Sequence, residues 1–156
     1  MSLRRLVSFG LSPQLKTNFE QIFAAPFLVE MLLAEIGAQP DQDLLLRLHF
    51  DGSFRFQMGG VLVAASQPAP ETAAQTWLNQ TLRGKTDRRE AAELLLQAWW
   101  CLVENKPFGD GLPVEAERQA GWRAATRERV VELGWLARHS ARLAHYEPLG
   151  MAQIGL

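Results

Sequence analysis

The chain has 156 residues, 47% of them hydrophobic and 21% charged, with a formal net charge of -1. That length fits one ordinary domain with a substantial core, and the balanced charge gives no overall bias toward nucleic acid or a membrane surface. Cys101 is the one cysteine, which excludes an internal disulfide framework or a paired-thiol metal or redox site and points to a reducing cytoplasm.

No apolar run reaches the length of a membrane span, and the start MSLRRLVSFGLSP carries too short an apolar stretch for a signal peptide. The expectation is a soluble cytoplasmic protein without a membrane partner. Arginine greatly outnumbers lysine, which occurs only as Lys16, Lys85 and Lys106, a skew that suggests a GC-rich bacterial source.

Leu6, Val7 and Phe9 suggest a short N-terminal strand. Ser12-Pro13 then reads as an N-cap with proline at the first helical position. Leu15, Phe19, Ile22 and Phe23 keep helical spacing until Pro26, which lacks an N–H and clashes with the preceding turn, breaks the helix near Ala24. Phe27, Leu28, Met31, Leu32 and Ile36 form one broad stripe, so a second helical piece is expected up to Ile36, stopped by Gly37 and Pro40.

The segment 44–65, LLLRLHFDGSFRFQMGGVLVAA, alternates apolar and polar residues around two turn signals. A two-residue loop at Asp51-Gly52 would put Leu48 opposite Arg55 and Leu46 opposite Gln57, mixing apolar and polar side chains on one face. A three-residue loop, Phe50-Asp51-Gly52, sorts them: Leu46, Leu48, Phe54 and Phe56 share one face and Arg47, His49, Arg55 and Gln57 the other. Gly52 then takes the left-handed position. Gly59-Gly60 allows a second turn that pairs Met58 with Val61 and Phe56 with Val63, giving three short strands; one long strand bulged at the glycines fits equally well.

Beyond Pro68 and Pro70, a helix is expected from about Glu71 to Leu82, with Ala74, Trp77, Leu78 and Thr81 on one side and Gly84 closing it. Asp87 and Glu90 form a capping-box pattern before AAELLLQAWWCLVEN, apolar nearly all round, the expected central core helix. Its one polar face carries Glu93, Gln97, Trp100 and Glu104, which would expose Trp100. The loop from Lys106 to Pro113 leads to a last long helix, Val114 to about Tyr146, weakened at Gly121 and Gly134. The tail EPLGMAQIGL is apolar and almost uncharged.

On a continuous last helix, Arg123, Arg127, Arg138 and Arg142 fall within about a third of the circumference, and none has an acidic residue three or four positions away, whereas Arg118 has Glu115 and Arg129 has Glu132. With Trp135 beside them they suit recognition of phosphate or carboxylate, although nucleic-acid domains are usually distinctly basic. Trp100, Phe50 near the hairpin tip, and Leu149, Met151 and Ile154 of the tail are the candidate partner-binding residues, because large exposed apolar groups mark protein contacts.

His49, His139 and His145 come with no ligand motif, so no metal site is expected. Cys101 lies among tryptophans and aliphatics as a core residue. Asp41 with Asp43 and Asp87 with Glu90 have structural explanations, and neither Met58-Gly59-Gly60 nor Gly109-Asp110-Gly111 matches a phosphate-cradling loop. No catalytic residue and no cofactor is expected.

The fold class expected is α+β: a three-stranded antiparallel meander, about 44–65, packed against helices, with a helix-rich C-terminal half, in a single domain 1–156 whose tail 147–156 is flexible or docks on a partner. In outline, helix then meander resembles small secretion chaperones, while the long helical second half departs from that pattern. The functional expectation is a non-enzymatic bacterial interaction protein: an adaptor, a small chaperone or a subunit of a larger assembly. A small sheet with open edges favours a homodimer. The alternative is binding of nucleic acid or another anion through the arginine stripe.

Overall fold

The computed structural model describes residues 2–23, 25–57, 68–84, 87–139 and 146–156. It is an α+β fold whose contacts divide into two compact units, Met1–Val61 and Leu62–Leu156.

The first unit opens with helix, where a strand was expected. Helix α1 (Leu3–Leu6) is capped by the Ser2 side chain, which accepts from the Arg5 N–H, and runs through a π-helical turn, Val7–Leu11, into α2 (Ser12–Phe19). Pro13 lacks the N–H that an α-helical ladder needs, and the ladder widens just before it, as π-bulges do. Leu3, Val7 and Leu15 share the inward face, so the apolar residues of this stretch follow a helical period. Ser12 is not the cap foreseen for it: the chain is already helical there, and its hydroxyl donates to the Gly52 carbonyl at 2.6 Å.

Strand β1 (Met31–Glu35) replaces the second helical piece expected up to Ile36. Met31 and Leu33 turn toward the core and Leu32 away from it, so the apolar run obeys a period of two once β2 (Leu44–Leu48) is there to pair with it. Gly37 does not end a helix, as expected of it, but the glycine is needed where it stands. Its N–H donates to Asp43 Oδ1 at 2.9 Å, and a Cβ there would stand 2.4 Å from Gln42 Cβ.

The hairpin between β2 and β3 (Phe54–Gln57) has the expected register, with Leu48 opposite Phe54 and Leu46 opposite Phe56. The loop is Phe50-Asp51-Gly52: the His49 N–H donates to the Ser53 carbonyl, the Gly52 N–H to the His49 carbonyl, and Gly52 has φ +83°. Leu46 and Leu48 are fully buried and pack with Val7, Leu3 and Leu15, each of the two contributing about 1.5–3 kcal/mol through removal from water. Among the described residues the sheet has three antiparallel strands in the order β1-β2-β3. The expected turn at Gly59-Gly60 and the strand after it lie outside the described residues.

The second unit is built on α3 (Pro68–Thr81), α4 (Arg88–Val103) and α5 (Glu115–Thr126). Asp87 caps α4 by accepting the Glu90 N–H at 2.8 Å. Ala74 and Leu78 of α3 pack on Ala98 and Leu102 of α4, while Leu96, Trp100 and Cys101 pack on Trp122 of α5. The last helix stops at Thr126, some twenty residues short of Tyr146. Thr126 Oγ1 bonds back to the Trp122 carbonyl, the Arg127 and Arg129 amides close three-residue turns, and the chain continues into β4 (Leu133–Leu136). This strand pairs antiparallel with β5 (Tyr146–Leu149). The tail beyond it is folded: Met151–Ile154 form a 3-10 turn, and Met151 and Leu156 pack on the Trp100–Trp122 cluster.

Candidate functional site

In the first unit the segment leading into β1 is held in place while its side chains face solvent. The Phe27 N–H donates to Asn18 Oδ1 at 2.7 Å. Three residues on, Glu30 receives Arg47 Nη2 on both carboxylate oxygens at 3.0 Å and His49 Nδ1 at 2.6 Å. Burial pushes the Glu30 carboxyl up, but the hydrogen bonds and charges of Arg47 and His49 outweigh it and hold the group below the usual carboxylate range. Between these anchors Phe27 is 64% and Leu28 77% exposed, with Ile22 at 89% and Phe23 at 101% before them and Leu32 at 49% after. Such a run of bare apolar side chains beside an edge strand is a contact surface in chemical character.

Sequence reasoning missed this site because helical spacing assigned Phe27, Leu28 and Leu32 to a buried stripe. The available signal was Pro26 followed by FLVEMLLAEI, eight apolar residues and two glutamates with no glycine or proline, a run as compatible with a strand as with a helix.

The partner-binding residues chosen from sequence are placed elsewhere. Trp100 is 8% exposed, not bare. The polar face of α4 is the one that α5 covers: Arg118 Nε donates to Gln97 Oε1 at 2.8 Å, Arg123 Nη2 lies 3.7 Å from Glu93 Oε1, and Gly121 lets the two helices close over the Trp100 ring. Phe50 is half-buried, its ring 5.3 Å from that of Phe19. Leu149 pairs with Leu133 in the second sheet, and Leu149, Met151 and Ile154 are all half-buried.

The arginine stripe does not form as a helical face. Arg123 is on α5, Arg127 is the residue that caps its end, Trp135 is on β4, Arg138 follows that strand, and Arg142 lies outside the described residues. Trp135 has the Arg88 guanidinium 4.8 Å from its ring centre, and Arg88 also lies 3.4 Å from Glu147, the cross-strand neighbour of Trp135. Arg118 lies over Trp77 and Arg129 over Trp99 in the same way, at 5.4 and 5.3 Å, each contact worth about 0.5–1 kcal/mol at an exposed site.

Cys101 is buried, and burial pushes its thiol up, away from the thiolate a nucleophile needs. Among the described residues no group of three or more His, Cys, Asp or Glu side chains is placed to hold a metal ion, and no helix is long and apolar enough to cross a membrane.

The chain is similar to two bacterial proteins. It is 32% identical over 104 residues to a proteasome subunit alpha of Streptomyces griseus, a match covering 67% of this chain and 36% of that protein. It is 36% identical over 107 residues to a proteasome subunit alpha of Streptosporangium roseum, covering 67% of this chain and 38% of that protein. The chain thus spans little more than a third of the length of the curated relatives it matches. No protein-family model matches it, and no solved structure does.

Proposed function

We propose that this chain is a cytoplasmic protein-interaction protein that works as a subunit or accessory of a larger assembly containing proteasome alpha-type subunits, as an adaptor or small chaperone rather than as a catalyst. The observation that carries the reading is the similarity over 104 residues to a proteasome subunit alpha. The exposed apolar run before β1 supports it by offering a surface that a partner would cover.

The test is co-expression of the tagged chain with the Streptomyces griseus proteasome subunit alpha, followed by size-exclusion chromatography at low and high salt. Co-elution at both salt concentrations is expected, because contacts between apolar side chains are little affected by screening. Separate elution of the two chains would sink the proposal. Titration of the same samples with generic nucleic acid distinguishes anion binding, whose affinity falls steeply with salt.

A further inference from the structure

We infer that the outer edge of β1, with the segment that leads into it, is a self-association surface that takes β1 of a second copy of this chain in antiparallel pairing. The inference rests on the interaction reading above and names one partner for it.

Among the described residues β1 is paired on one side only, by β2. Near its end Glu35 Oε2 accepts the Leu3 N–H at 2.9 Å, which ties that end to α1, and among the described residues no second strand pairs with Met31–Leu33 on the outer side. Edge strands in soluble proteins are commonly blunted by lysine, proline or a bulge. From Phe27 to Ile36 there is no lysine and no proline, and the only charges are Glu30 and Glu35.

Those two charges are compatible with self-pairing. Opposed residues in an antiparallel ladder alternate between hydrogen-bonded and non-hydrogen-bonded pairs. A two-fold axis must therefore pass midway between a residue and its own copy, and the numbers of any two opposed residues sum to an even value. Glu30 and Glu35 sum to an odd value, so they never face each other. In every register centred from Met31 to Ala34, each glutamate faces an apolar residue of the other copy, and no like charges meet.

The bare apolar area is of the order an interface needs. Ile22, Phe23, Phe27, Leu28 and Leu32 together leave on the order of 700 Å² of residue surface bare, close to the roughly 800 Å² that each partner contributes to an ordinary stable interface. Glu30 is already occupied by Arg47 and His49 within the same copy, so its charge needs no partner across the axis.

The experiment is sedimentation equilibrium of the full chain from low to high micromolar concentration, beside the double variant Leu28→Lys/Leu32→Lys. A short bis-maleimide cross-linking assay on Leu32→Cys in a Cys101→Ser background accompanies it, with Val130→Cys, a 90% exposed position in the second unit, as control. A salt-insensitive dimer is expected, weakened at least ten-fold in the double variant, with cross-linking at position 32 and none at 130. If the double variant loses its far-UV circular dichroism, the cross-link decides alone. A monomer at all concentrations, or a dimer that does not cross-link at position 32, overturns the inference. A monomer that still co-elutes with the proteasome subunit alpha overturns self-pairing and leaves the interaction proposal standing. A dimer that ignores that subunit does the reverse.

Discussion

Gly121 of α5 lies against the Trp100 indole of α4 so closely that a Cβ on the glycine would stand 2.2 Å from Trp100 Cε2. Two effects oppose each other in Gly121→Ala. Alanine gains about 1 kcal/mol in helix propensity, but forcing the helices apart over a buried ring costs about 1–3 kcal/mol. The ring is packed among Leu96, Cys101 and Trp122 and has little room to swing, so the clash wins. Setting the two against each other, we expect Gly121→Ala to lower stability by about 1 kcal/mol, read as a lower urea midpoint at constant slope. An unchanged or higher midpoint would show that the helices are not in contact at this point.

The same helix pair shows where sequence reasoning loses its grip. Helical spacing puts Glu93, Gln97, Trp100 and Glu104 on one face and predicts an exposed Trp100, but the residues that cover this face, Arg118, Gly121 and Arg123, lie about 20–30 positions away, and no local pattern says that a polar face meets another polar face. The β2–β3 register was legible because alternation at Leu46, Leu48, Phe54 and Phe56 admits one loop length. The strand Met31–Glu35 was not, since an unbroken apolar run satisfies both periods until a pairing strand decides between them. The end of α5 was equally hidden: Val130, Val131 and Leu133 continue a plausible helical stripe, and it is pairing with Tyr146–Leu149 that draws the chain into a strand.

Gly52 is required for two separable reasons. Its φ of +83° is a conformation that costs an L-residue about 1–2 kcal/mol, and a Cβ there would lie 2.5 Å from the Ser12 carbonyl oxygen. Gly84 has φ +78° with nothing within 4 Å of the same position, so it isolates the backbone cost. Gly84→Ala should lose about 1 kcal/mol and Gly52→Ala at least about 2 kcal/mol. Equal losses in thermal unfolding would show that the hairpin tip does not press on α2.

Met151 and Leu156 place the C-terminal tail in the second core rather than in solvent. The Leu156 N–H donates to the Met151 carbonyl at 2.9 Å, and both side chains pack on the Trp100–Trp122 cluster. Met151→Ala should cost about 1–2 kcal/mol, below the range for a fully buried methionine because the residue is half-buried. Ala152→Ser, at an exposed neighbour, should be silent. Hydrogen exchange offers an independent reading: the Leu156 amide should be protected, and exchange at the unstructured rate would mean that the tail is undocked.

Glu30 links pH to the lead-in of β1. Burial alone would raise its carboxyl, but the hydrogen bonds and charges of Arg47 and His49 hold it below its ordinary value of 4.5. The folded chain therefore binds fewer protons at this site than the unfolded chain, and stability rises with pH there. The contribution is fully present above about pH 4.5 and is lost as the pH falls through the lower folded value. Asp51 acts in the same direction, since the Ser53 hydroxyl and amide both donate to its carboxylate. Glu30→Gln keeps the shape of the side chain and removes the charge. At neutral pH it should lose about 1 kcal/mol, and across the acid range its stability should fall less steeply than that of the native chain. Parallel pH profiles for the two proteins, measured by thermal unfolding, would show that the carboxylate does not hold β1 to β2.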